Sequence, residues 1–311
     1  MFMYLFNNHF TFYLSYLGMN YSNVIGFLIF IVFLLQFLSG LLLSCYYSPF
    51  IAFSSVHYIM IDVNVGWFIR FFHVLGSSLF MVFILIHWIR AVWIRLEMID
   101  YYSISFYNRL SLIWVSGAII LLCSLISGFL GYILNWGQMS YWGITVIINL
   151  LSIIPLFGSY IGEYLLCSSI VNRIYVFHFS LGFIIGCIIL VHIALLHRFS
   201  SSNPLINNNS ILIPFYALFF KDCFVSYVIP LFLCFYLFWE PDIFGNCDNL
   251  IIANPLSTPN HILPEWYFLI YYCCLRAFPN KTMGVIIVLL FVLFTFSIDF
   301  LLVLWFLLFL L

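Results

Sequence analysis

Apolar and polar positions divide this chain into long apolar stretches joined by short polar segments. The stretches fall at about 24–45, 66–94, 111–133, 138–154, 172–196, 224–239 and 284–311. A bilayer's hydrocarbon core is about 30 Å thick and is crossed by about 20 apolar residues of helix. All the stretches except 138–154 are read as crossings, the first to the sixth. The stretch at 138–154 is amphipathic, carries Gly143 and Asn149 and runs into Pro155. It is predicted to lie along the interface or in a hairpin. The alternation of a membrane β-barrel is missing, and the runs far exceed a barrel strand of about ten residues. The pattern predicts an all-α membrane protein, a transmembrane helical bundle.

Composition agrees: 66% of the residues are hydrophobic and 6% charged, against about 25% charged in a soluble domain. A net charge of -1 gives nucleic acid nothing to bind, so no nucleic-acid partner is expected. The nine cysteines are odd in number, scattered and without a CxxC pair. They are predicted to be small buried hydrophobes rather than disulfides or a zinc site. The opening MFMYLFNNHF shows no basic n-region, no small-residue cleavage site and no Arg-rich transit pattern. The wealth of Phe, Ile, Tyr, Leu and Asn suits an AT-rich organellar genome.

Loop charges set the orientation. Arg90, Arg95, Arg109, Arg198 and Lys221 outweigh Glu97, Asp100 and Asp222 around the loops after the second and fourth crossings. On the opposite side, Arg70, Arg173, Arg276 and Lys281 are outnumbered by Asp62, Glu163, Glu240, Asp242, Asp248 and Glu265. The first set and the N-terminus are therefore placed on the cytoplasm-equivalent side, the matrix of a mitochondrion.

Candidate chemistry lies in two histidine pairs of equal spacing. His73 and His87 share the second crossing, and His178 and His192 share the fourth, each pair fourteen residues apart. Fourteen residues is close to four helical turns, so both members face nearly one way, roughly 21 Å apart along the axis. The two crossings run in the same direction. His73 then meets His178 near one membrane face, and His87 meets His192 near the other. Paired imidazoles without carboxylate or thiolate suit a haem iron used for electron transfer. A single buried histidine is more simply helix glue, but repetition on parallel helices favours metal. Gly26 and Gly40 in the first crossing, and Gly117 and Gly131 in the third, repeat the same spacing of fourteen. They remove bulk where a flat macrocycle would approach the backbone. Arg70 and Arg90 each lie three residues from a histidine, placed to pair with haem propionates. His9, His57 and His261 have no partner spacing and are assigned no ligand role.

With these residues in hand, the chain from about 23 to 285 resembles the cytochrome b family of the mitochondrial and bacterial cytochrome bc complex (ubiquinol–cytochrome c reductase). Arg70-Phe-Phe-His73 with His87-Trp-Ile-Arg90 looks like the family's first haem helix. Arg173-Ile-Tyr-Val-Phe-His178, running through His192-Ile-Ala-Leu-Leu-His197 to Ser201-Ser202-Asn203-Pro204, looks like the second. The run from Gly131 through Trp136-Gly-Gln to Trp142-Gly143 follows the family's loop before the fourth crossing, and Pro264-Glu265-Trp266-Tyr267 is its PEWY signature. Equal spacing in both pairs, and PEWY on the same chain, favour this family over its plastid relative.

The resemblance implies a four-helix dihaem core in residues 1–200 and a C-terminal transmembrane domain with the PEWY loop in 201–311. It implies two non-covalent b-type haems, one on His73 and His178 and one on His87 and His192. Ubiquinol would be oxidised at the first face, with Glu265 as proton acceptor and Tyr267, Tyr272, Gly143 and Trp142 lining the pocket. Desolvation of Glu265 between Pro264 and Trp266 should raise its pKa toward neutrality. Ubiquinone would be reduced at the other face by electrons from the haems, in a site where His197, Ser201, Lys221 and Asp222 would supply protons and hydrogen bonds, with Lys221 and Asp222 in the loop before the fifth crossing. Neither a c-type attachment motif nor an iron–sulfur cysteine cluster is present. An iron–sulfur (Rieske-type) subunit, a c-type haem subunit and further subunits are therefore implied as partners, in a homodimer of the complex in the lipid of the mitochondrial inner membrane.

Two departures stand out. The family's proline before Trp136 is Asn135 here, which removes backbone stiffness from the oxidation-site loop. The family usually has eight crossings and this sequence carries six, a C-terminal part shortened relative to the family. The last two are expected to be lost, carried by another subunit or outside this sequence. Redox function is expected to survive because they sit outside the family's haem bundle. The last stretch is nearly featureless apart from Asp299, an expensive residue within a bilayer that should face protein or the interface.

Overall fold

A computed structural model of the chain describes residues 14–16, 23–98, 104–153, 158–166, 169–199 and 211–309. The helices among these are α1 (Ile25–Ser44), α2 (Ala52–Ile61), α3 (Gly66–Met98), α4 (Ile104–Ile133), α5 (Gln138–Leu151), α6 (Gly158–Leu166), α7 (Ile170–Phe199), α8 (Phe215–Ser226), α9 (Val228–Trp239), α10 (Leu269–Ala277) and α11 (Lys281–Phe309). Two short strands, β1 (Leu14–Tyr16) and β2 (Leu212–Pro214), pair antiparallel with Ser15 opposite Ile213.

Five segments are helical, long and apolar enough to cross a membrane: Ile25–Ser44, Gly66–Ile94, Leu112–Ile133, Ile170–Arg198 and Tyr216–Trp239. They correspond to the first five predicted crossings, and α11 carries the sixth stretch as one 29-residue helix. The protein is a multi-pass helical membrane protein. The amphipathic stretch forms α5, which packs against α6 as a pair of short helices. At 14 and 9 residues, both are too short to span a core of about 30 Å.

The fifth crossing is broken. It consists of α8 and α9 meeting at Tyr227, because Pro230 has no amide hydrogen and its ring crowds the carbonyl of Ser226 four residues back. Helix also begins earlier than expected, right after Pro214, because the apolar run Phe215–Phe220 lets the helix start there. Lys221 and Asp222 therefore sit within α8 rather than in the loop before it. The cysteines need a second correction. Cys45, Cys187, Cys234, Cys247 and Cys273 are exposed at the chain's surface, and the eight described cysteines are all free thiols. Cys187 and Cys234 lie on membrane-spanning helices, where lipid tails are as apolar as a protein core and a small apolar side chain has no need to be buried. Asp299 lies on α11, and its surroundings fall outside the described side chains.

In the bundle, α1 packs along α3 and α4 packs along α7, and these two pairs face each other. Leu28, Val32, Leu75, Leu79, Ile84, Leu121, Leu125, Ile185 and Ile189 form the buried core between them. Each lies in sequence between the two glycines or the two histidines of its helix, so a packed apolar layer separates the two histidine levels. Its cohesion comes from dispersion contacts, because moving these groups out of lipid gains no hydrophobic transfer energy. A smaller cluster of Ile133, Ile144, Ile148 and Ile174 fixes α5 against the ends of α4 and α7.

Candidate functional site

Helix geometry carries each histidine to its place. The rings of His73 on α3 and His178 on α7 lie with their planes 84° apart and their centroids 6.3 Å apart. His192 is the charge neighbour of His87, so the pairs stack as parallel helices require. Each histidine lies against a glycine of the neighbouring helix. A Cβ on Gly131 would fall 2.8 Å from Cε1 of His178, and one on Gly40 would fall 3.1 Å from Cε1 of His73. At Gly117 the distance to Cε1 of His192 is 3.3 Å, and at Gly26 it is 3.5 Å to Cε1 of His87. The missing side chains let His73, His178 and His192 reach the polar backbone of the helix each faces.

That reach fixes the rings. His178 Nδ1 lies 2.9 Å from the carbonyl of Ser127 and 3.4 Å from its hydroxyl. His73 Nδ1 lies 2.9 Å from Ser39 Oγ and is also bonded by the Gln36 backbone. His192 Nδ1 lies 2.8 Å from Ser116 Oγ and is bonded by the Ile113 backbone. In all three cases the carbonyl belongs to the residue four before the glycine. An Nδ1–H bound to a carbonyl leaves Nε2 unprotonated and free to ligate, the usual outer-shell arrangement of a metal-bound histidine. For His87 the corresponding carbonyl is that of Ser22, outside the described residues, and its Nδ1 has no partner among those described.

The geometry fits haem iron. Two imidazoles sharing one metal, each with a metal–nitrogen bond of about 2.0 Å and about 1.1 Å more from nitrogen to ring centre, would have their centres up to about 6.2 Å apart. The observed separation is 6.3 Å. No cluster of three or more metal-binding side chains occurs among the described residues, so two imidazoles alone leave a metal incompletely ligated. A porphyrin would supply the remaining donors.

The His73–His178 level opens into a cavity of about 280 Å³, lined by residues that include Gly40, Arg70, Gly131, Tyr132, Asn135, Glu265 and Tyr267. Glu265 precedes the turn Trp266–Phe268, and burial pushes its carboxyl up to about 7. Tyr267 is buried, with its hydroxyl in the notch left by Gly128, where a Cβ would be 2.9 Å away. Burial first, then the nearby Glu265 and Tyr132, pushes the Tyr267 phenol well above its ordinary value. Trp266 donates from Nε1 to Ser78 Oγ at 3.4 Å, tying this loop to α3. Asp242 is the charge neighbour of Arg70.

Other expected oxidation-site residues lie apart from this cavity lining. Tyr272 is on α10, with the Arg276 guanidinium 5.4 Å from its ring centre. Trp142 is packed edge-on to Tyr141, and its Nε1 is buried without a partner among the described residues. Open space faces Gly143. At the other end, α8 rests on α1 through Phe27 and Phe219, rings 5.6 Å apart, one position from Gly26. Lys221 and Asp222 are thus carried to the His87–His192 end of the bundle. His197 lies in the last turn of α7, Arg90 is half-buried on α3, and Ser201 is outside the described residues.

Ser39, Ser116, Ser127, Tyr132 and Gly128 escaped the sequence reading. Serine directly before glycine at Ser39-Gly40 and Ser116-Gly117 was the available signal.

Fold and site together define a membrane-embedded helical bundle that holds paired imidazoles at two depths and an acidic cavity beside one pair. Family models described as "Cytochrome b/b6/petB" and "Cytochrome b(C-terminal)/b6/petD" match residues 13–200 and 252–304. Cytochrome b of Phytophthora megasperma is 41% identical over 90% of this chain and 73% of its own length. Cytochrome b of Rickettsia conorii is 38% identical over 93% of this chain and 74% of its own. A solved structure titled "Hyperthermophilic respiratory Complex III" superposes with a TM-score of 0.81 at 26% identity, covering 96% of this chain and 80% of that one. The chain belongs to the cytochrome b family, haem-binding membrane proteins of respiratory electron transport, and spans about three-quarters of the length of these curated relatives.

Proposed function

We propose that this chain is the dihaem, catalytic subunit of a quinol–cytochrome c reductase. In this reading His73 with His178, and His87 with His192, each hold one b-type haem through Nε2. Gly40, Gly117 and Gly131 give their rings access to backbone acceptors, Gly26 leaves room beside His87, and Arg70 and Arg90 would pair with the haem propionates. Bound there, the haems supply one-electron transfer across the membrane. Residues 1–200 form the dihaem unit, and 201–311 carry the PEWY loop and later helices.

Ubiquinol oxidation is assigned to the His73–His178 face, where the Glu265 carboxylate accepts a proton from the quinol hydroxyl. Tyr267 walls the pocket, and Tyr272, Trp142 and Gly143 are assigned to the same site although they lie outside the cavity lining. At the opposite face His197, Ser201, Lys221 and Asp222 bind ubiquinone and deliver protons as it is reduced. Uptake at one face and release at the other contribute to proton translocation.

An iron–sulfur subunit, a c-type haem subunit and a second copy of the complex are the expected partners, in the mitochondrial inner membrane. The organellar composition supports that location, and the relatives include a bacterium as well as eukaryotes.

The 6.3 Å separation of the His73 and His178 rings carries this reading. The test is a reduced-minus-oxidised optical spectrum of the complex in its native membranes. Absence of b-type bands would overturn it.

A further inference from the structure

The corner between α4 and α5 is held in an unusual conformation. Trp136 has a φ of 53°, a region bulky side chains rarely adopt. Backbone bonds secure the corner itself: Trp136 N–H donates to the Ile133 carbonyl at 2.9 Å and Ala253 N–H to the Trp136 carbonyl at 3.3 Å. Gln138 N–H donates to Ile251 at 2.9 Å, and Gln138 Nε2 donates to the Ser257 carbonyl at 3.0 Å. The loop around 246–257 is thus stitched onto this corner.

Asn249, buried, is the centre of the stitching. Its Oδ1 accepts from Ser140 N–H at 3.0 Å and from Ser140 Oγ at 2.9 Å. Its carbonyl accepts from Asn135 Nδ2 at 2.7 Å, a short bond for a neutral amide. Asn135 also lines the cavity that holds Glu265, Tyr267 and His178. One side chain therefore touches the cavity and ties its wall to the outer loop.

We infer that Asn135 is a positioning residue for quinol oxidation, its side-chain hydrogen bond to the Asn249 carbonyl holding the wall of the cavity that Glu265 also lines. This rests on reading that cavity as the oxidation site. Loss of the bond frees the turn at 134–137 on its cavity side, while the histidine pairs, held by α1, α3, α4 and α7, keep their geometry. The effect should fall on quinol binding rather than on the proton-accepting carboxylate or the haem ligands.

The test uses the intact complex in native membranes with a short-chain ubiquinol. Asn135→Ala should raise KM roughly fivefold, the worth of one neutral hydrogen bond, with kcat within about twofold of wild type. The b-type bands and quinone reduction at the opposite face should not change. Asn135→Asp keeps the shape but, when ionised, sets a carboxylate against a carbonyl. Its KM relative to wild type should be raised at high pH and should recover as acid protonates it and restores a donor.

An unchanged KM in Asn135→Ala, equal loss at both quinone sites, or an Asn135→Asp variant that follows wild type at every pH would each overturn the inference. Glu265→Gln run alongside separates the two failures. Slowed quinol oxidation there with a wild-type KM in Asn135→Ala defeats this inference alone. An unchanged rate in Glu265→Gln defeats the oxidation-site reading and the inference together.

Discussion

Replacing Gly131 by alanine tests the imidazole contacts most directly. The new Cβ would stand 2.8 Å from Cε1 and 3.3 Å from Nδ1 of His178, where ordinary contact begins at 3.4 Å. The ring must retreat by the difference, about 0.6 Å, since the Cβ is fixed to the backbone of α4. The bond from Nδ1 to the Ser127 carbonyl, now 2.9 Å, then lengthens to the edge of hydrogen bonding. A lost outer-shell bond of this kind typically costs a metal site about 10–100-fold in affinity. The other glycines form a graded series, because the equivalent distances are 3.1 Å at Gly40, 3.3 Å at Gly117 and 3.5 Å at Gly26. Gly26→Ala should retain its haem almost fully, and Gly131→Ala should lose most at the His73–His178 level. The assay is haem content per complex with the b-type difference spectrum, for all four variants in native membranes. Equal losses in Gly26→Ala and Gly131→Ala, or full retention in Gly131→Ala, would refute the contact reasoning.

Three further outcomes are expected. With the Glu265 carboxyl near 7, the proton-accepting anion is lost in acid. Quinol oxidation should therefore climb about tenfold per pH unit below 7 and level off above it, and a Glu265→Gln variant that keeps this limb would disprove the assignment. Replacing His192 should remove one b-type signal and spare the other, and loss of both or of neither contradicts the pairing. Gly137→Ala would drive a Cβ into the Asn249 carbonyl, costing about 1–3 kcal/mol. A melting temperature and protease resistance of the 246–257 loop equal to wild type would show that the corner is not close-packed.

Much of the architecture was readable along the chain because it is local. Apolar length sets each crossing, and a spacing of fourteen places His73 over His87, and His178 over His192, on any helix. Pro230 breaks a helix at Ser226 wherever the helix lies, although the apolar run around it conceals the break. Lys221 and Asp222 were misplaced for a related reason: adjacent charges look like loop, yet their long or interfacial side chains are tolerated near the end of a membrane helix. The cysteines misled because burial rules from water do not transfer to lipid.

Chain order cannot say which atoms of one helix meet another. Ser127 was indistinguishable from its neighbours until α4 lay along α7 and its carbonyl met His178 Nδ1. Gly128 became a notch only when Tyr267, distant in sequence, filled it, and Asn135 gained a role only through Asn249. The apolar layout and histidine spacing belong to the sequence alone, because helical rise and bilayer thickness are the same for every chain. The raised carboxyl of Glu265 was foreseeable from its apolar neighbours, but the tautomers of His73, His178 and His192 and the anchored corner belong to the tertiary structure, because hydrogen bonds act only between groups that folding has brought within a few ångströms.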